Sequence, residues 1–106
     1  MRQWNSWGDS SVKMTVNAKA STFIQGLLGK GTPLTDATLS EVMAKVPASR
    51  LPKHPLIAID AETRVRHARG QSLPDWLAWR SGDIGVFPDG VALPRNSTQV
   101  AELLAL

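Results

Sequence analysis

The sequence predicts an α+β fold, mainly helical, made of short helices with a few short strands. Apolar residues recur at the helical interval behind capping residues in four places. Strand-like alternation is confined to short stretches, and glycines and prolines punctuate the chain between elements.

The chain opens MRQWNSWGD, which places two of its four tryptophans three residues apart. Terminal segments fray unless they are tied down, and an indole buries on the order of 200 Å² when it finds a pocket. Trp4 and Trp7 are therefore expected to anchor an arm, on the chain's own core or on a surface of something larger. Residues 12–16, VKMTV, alternate apolar and polar and predict a short strand.

Asn17 caps a predicted helix over residues 18–28, where Ala20, Phe23, Ile24, Leu27 and Leu28 form one apolar stripe. Gly29 stops it, with Gly31 and Pro33 close behind. Thr38 and Glu41 have capping-box spacing, followed by Leu39, Val42, Met43 and Val46 on one face until Pro47 ends the helix. The next stretch, PASRLPKHPL, holds Pro47, Pro52 and Pro55 and reads as an extended surface connector.

Residues 62–69 predict another helical turn or two, interrupted at Gly70. Ser72 caps a helix in which Leu73, Trp76, Leu77 and Arg80 share a face, with Pro74 and Asp75 suited to its first turn. Trp76 joins Trp4 and Trp7 as an expected structural anchor. After the turn-rich SGDIGVFPDG, VALP is a short strand candidate ended by Pro94. A last helix begins near Asn96 or Ser97, with Gln99 placed for a capping box and Val100, Leu103 and Leu104 on one face. AELLAL carries no capping glycine or terminal cation, as expected of a chain cut within an amphipathic helix.

With 42% hydrophobic and 20% charged residues, the 106-residue chain falls in the globular class. Twelve Lys and Arg against nine Asp and Glu give a net charge of +3, spread along the chain, so nucleic acid is not an expected partner. The absence of cysteine excludes disulfides, thiolate metal sites and cysteine nucleophiles, and a cytoplasmic setting is the expectation. Apolar runs such as PLIAI fall far below the roughly 20 residues that span a bilayer, and the N-terminus lacks the apolar core of a signal peptide.

No catalytic or metal site is expected. GLLGKGT has the Gly-Lys pair of a phosphate-binding loop, but Ile24 and Gly31 occupy the positions that need glycine and Ser or Thr. GQSLP lacks the final glycine of a serine nucleophile elbow, and Ser72 serves better as a cap. His54 and His67 stand thirteen apart without a second ligand at helical spacing. RVRHARG gathers Arg64, Arg66, His67 and Arg69; such clusters are mostly solvated faces or ion pairs with residues such as Asp60 or Glu62. Docking to an acidic partner or holding an anion is the alternative for Arg64, Arg66 and Arg69.

RQWNSWG resembles the R-W-N-G-W-G opening of alkyldihydroxyacetonephosphate synthases and their bacterial relatives, the FAD-binding oxidases of the vanillyl-alcohol-oxidase type. Gln3 is inserted and Ser6 replaces a glycine. RVRHARGQSLPDWLAWRSGDIGVFPDGVALPRNSTQVAELLAL resembles the family's segment from an arginine-rich motif into the first strand and helix of its flavin domain. The resemblance implies two parts: residues 1–80, a helical region with a tryptophan-bearing arm, and residues 81–106, the start of a truncated FAD-binding domain. It implies FAD in the full-length parent and no cofactor for this segment, because the glycine-rich loop that holds the diphosphate, and the catalytic residues, lie beyond it. Implied partners are the remainder of the flavoenzyme chain and a small-molecule or lipid-precursor substrate, with homodimerisation of the parent possible. The competing reading is a stand-alone helical interaction module that uses RVRHARG to meet an acidic partner or nucleic acid.

Overall fold

The structure is a computed structural model that describes residues 1–106. Its elements run α1 (Ala18–Leu28), α2 (Leu39–Met43), β1 (Ile57–Ala58), α3 (Ala61–Arg66), α4 (Leu73–Ser81), β2 (Val91–Ala92) and α5 (Ser97–Leu104). The fold is a small α+β fold, mainly helical.

Each helix starts where a side chain satisfies its free amides. Asn17 Oδ1 accepts from the Ala20 N–H at 2.7 Å. Thr38 and Glu41 form the reciprocal box, with the Glu41 N–H donating to Thr38 Oγ1 at 3.2 Å and the Thr38 N–H donating to Glu41 Oε2 at 2.8 Å. Ser72 makes a second box with Asp75. Asn96 caps α5, while Gln99 reaches one residue further back than a standard box and accepts from the Arg95 N–H.

Three expected elements differ, the first being the helix expected to run to Pro47, which ends at Met43 with Ala44 as its C-cap. Residues 12–16 form no strand and are exposed throughout, because no second strand lies alongside to complete a ladder. The helix expected over residues 62–69 is Ala61–Arg66 instead. Asp60 caps it early by accepting from the Thr63 N–H at 2.9 Å. His67 then leaves helical geometry at φ −115°, its Nδ1 lying 2.8 Å from the Thr63 carbonyl.

The strands β1 and β2 pair antiparallel, Ile57 opposite Ala92 and Ala58 opposite Val91. The core is Val42 from α2, Val65 from α3, Trp76 and Trp79 from α4, and Ile84 beyond it. Both the sheet and this core cross the boundary between residues 80 and 81. The face expected of α4 is only half buried: Trp76 and Trp79 point inward, whereas Leu73 and Leu77 border solvent. Turning the helix this way buries two indoles, each with more apolar area than a leucine. Gly82 ends α4 in the left-handed region at φ 78°. A Cβ there would stand 2.9 Å from that of Ala37, so only glycine permits this approach.

α1 stands apart from this arrangement, with none of its residues buried. The molecule is correspondingly elongated, 57 × 27 × 22 Å. No helix is long and apolar enough to cross a membrane.

Candidate functional site

The N-terminal arm folds back on itself before it meets the core. The Gln3 N–H donates to the Gly8 carbonyl at 2.9 Å, the Ser10 N–H to the Met1 carbonyl at 2.8 Å, and Arg2 pairs with Asp9 in an antiparallel bridge. Gly8, at φ 96°, supplies the left-handed residue this tight reversal requires. The Met1 ammonium donates to Asp9 Oδ2 at 2.7 Å, and Ser11 donates to Asp9 Oδ1 from both its amide and its hydroxyl.

These donors lower the Asp9 carboxyl from 3.8 to about 2, the ammonium contributing most. A carboxyl depressed in the folded arm stabilises it fully above the unfolded value and loses that contribution as pH falls through the folded one. Arm docking is thus expected to be intact above about pH 4 and to weaken towards about pH 2. Tryptophan fluorescence across that range checks it; Asp9→Asn should erase the transition.

Four tryptophans converge where the arm lands. Trp4 packs against the core from the arm. Trp7 meets Trp76 edge to face, ring centres 5.8 Å apart at 75°, and Trp76 lies 4.8 Å from Trp79. Trp4 and Trp76 are therefore anchors, whereas Trp7 is fastened by one edge and stays 59% exposed. Trp79, 1% exposed, is the most buried of the four, and its Nε1 donates to the Val65 carbonyl at 3.2 Å. It was not among the expected anchors, although it lies one helical turn from Trp76.

The cluster separates two clefts, and Trp76 lines both. One, of about 310 Å³, is walled by Trp7, Leu34, Leu73 and Leu77. The Asp36–Arg80 pair lies at this cleft, with Nη2 2.6 Å from Oδ2; the guanidinium holds the Asp36 carboxyl below its usual range. The other, about 420 Å³, is lined by Arg2, Trp4, Arg66, His67 and Arg69. Trp76 Nε1 is buried without an acceptor, an unmet donor at the heart of the site.

The three arginines of RVRHARG do not share a task. Arg64 is 2% exposed and clamps two loops, Nε donating to the Pro88 carbonyl at 2.6 Å and Nη1 to the Pro47 carbonyl at 2.7 Å. Arg66 pairs with Glu62 at 2.8 Å, and its Nη1 donates to the Arg2 carbonyl at 3.0 Å, which holds the arm down. Arg69 lies beyond the helix end, pairing with Asp75 at 3.0 Å and donating to the Ile84 carbonyl at 3.0 Å. Each guanidinium bonds this chain's own oxygens, although Arg64 Nη2 is buried without a partner.

The histidines stay apart. His54 Nδ1 accepts from the Leu56 N–H at 3.1 Å, which leaves the proton on Nε2, 3.4 Å from Glu102 on α5. No three His, Asp or Glu side chains gather in metal-binding geometry. Of the left-handed glycines, Gly29 and Gly82 end helices and Gly8 turns the arm. Compared with protein-family models, with curated proteins and with solved structures, the chain matches none.

Proposed function

We propose that this chain is an N-terminal scaffold segment of an FAD-dependent enzyme of the alkyldihydroxyacetonephosphate synthase and vanillyl-alcohol-oxidase type, working in a cytoplasmic setting and carrying no chemistry of its own. The observation that supports this most is the interlocking of the two stretches that carry the family resemblance. Arg66 of RVRHARG bonds the Arg2 backbone 64 residues earlier, and Trp7 of RQWNSWG rests on Trp76. The arm thereby presents Trp7, Leu34, Leu73 and Leu77 as one apolar surface, suited to receive an adjoining domain.

The internal pairing of Arg66 and Arg69 favours this scaffold role over the basic interaction module, whose arginines would have to stand free for an acidic partner. α5 adds a second surface, with Val100 and Leu104 open to solvent.

Two measurements test the reading. Sequencing the gene beyond the codon for Leu106 is expected to find the frame continuing into a glycine-rich segment, with flavin absorbance in the purified product. A stop codon there, with a fully ordered monomer as product, would overturn it. These 106 residues alone are expected to take up no FAD; micromolar saturation in a flavin titration would place the cofactor site in the wrong part of the protein.

A further inference from the structure

α1 is a helix whose apolar stripe meets nothing. Phe23 and Leu27 are each 69% exposed and Leu28 83%, and Ile24 beside them is also open. Eleven residues with no buried contact are marginal as a helix in water, so this element needs a surface to lie on. The preceding chain continues the pattern, with Val12, Met14 and Val16 exposed as well.

Charge identifies that surface. Residues 10–35 contain Lys13, Lys19 and Lys30 and no Asp or Glu. Outside this segment cations and carboxylates are equal in number, so the chain's entire net charge of +3 resides here. None of the three lysines takes part in any of the ion pairs, which engage arginines, His54 and the Met1 ammonium instead. Around the helix, Lys19 falls next to Phe23 at the margin of the stripe, while Thr22 and Gln25 occupy the opposite side. From that margin a lysine can lay its stem along an apolar layer and keep its ammonium among headgroups.

We infer that residues 12–30 form an interfacial anchor that lies on an anionic phospholipid bilayer. Phe23, Ile24, Leu27 and Leu28 enter the boundary between headgroups and acyl chains, and Lys13, Lys19 and Lys30 meet lipid phosphates and carboxylates. An interfacial helix needs this combination of one apolar face and a cationic margin, and not the length of a spanning helix. The inference stands independently of the flavoenzyme reading, because α1 shares no residue with the tryptophan site.

The test is co-sedimentation of the full chain with phosphatidylcholine vesicles, with and without phosphatidylserine. Binding is expected only to the serine-containing vesicles, accompanied by a gain in helical circular dichroism. Leu27→Asp should abolish it. Each lysine changed to glutamine should weaken it about fivefold, and all three together on the order of a hundredfold. Since α1 buries nothing, these variants should retain the near-ultraviolet signal of the tryptophan cluster. Equal binding to both vesicle types, or binding to neither, overturns the inference. So does a concentration-dependent dimer that ignores vesicles and is broken by Leu27→Asp, which would make a second copy the occupant of this face.

Discussion

Trp79→Ala is expected to cost about 4 kcal/mol, the largest loss available from one side chain in this protein. Three observations make it so. Trp79 is the largest fully buried side chain, it stacks against Trp76 at 4.8 Å, and its indole N–H satisfies the Val65 carbonyl. Truncation would leave a cavity among Val42, Val65 and Ile84, so the cost of the void adds to the lost transfer free energy of the ring. The core is only five residues, so a loss of this size should remove cooperative unfolding in urea and the near-ultraviolet dichroism together. Trp79→Phe keeps most of the ring volume and gives up the hydrogen bond, and should cost nearer 1 kcal/mol plus a packing penalty. A urea midpoint for Trp79→Ala close to that of the unaltered protein would contradict this account of the core.

Arg64→Met should be the second most damaging change, at about 3 kcal/mol. The guanidinium sits buried between the Pro88 and Pro47 carbonyls, with no carboxylate in direct contact. Its charge is balanced at longer range by Asp89, whose carboxyl is held below its usual range chiefly by Arg50 and to a smaller extent by Arg64. Methionine can fill the volume but leaves both carbonyls without a donor. Lysine restores the charge but not the planar fork that reaches two acceptors in different directions, so Arg64→Lys should recover less than half of the loss. Urea titrations of the two variants check the order. Equal stability of Arg64→Lys and the unaltered protein would mean that charge, not geometry, is what this position requires.

Four of the five helix starts were legible in the sequence because capping is local chemistry. Asn17, Thr38 with Glu41, Ser72 and Asn96 each satisfy an amide three residues away, so a few neighbouring letters carry the information. Features set by distant partners were less legible. VKMTV has the alternation of a strand, but alternation does not supply a neighbour to pair with. The face of α4 was misjudged because Leu73 and Leu77 fit the helical interval as well as Trp79 does, and only the position of Val65 and Ile84 decides which edge turns inward. The arginine cluster reads as surface charge, yet Arg64 is buried by two proline-bearing loops that lie 17 and 24 residues from it. The tryptophan arm was legible as an anchor, while the edge-on seating of Trp7 depends on where Trp76 stands.

The bonds that close the fold join points far apart along the chain. The Ala37 amide donates to the Arg80 carbonyl, Lys45 Nζ donates to the Gly82 carbonyl 37 residues on, and Arg80 reaches back 44 residues to Asp36. During synthesis, α2 therefore leaves the ribosome with Val42 uncovered and must wait until α4 and Gly82 have emerged as well. At about 5 to 20 residues per second that interval lasts several seconds, during which the nascent segment is open to chaperones and proteases.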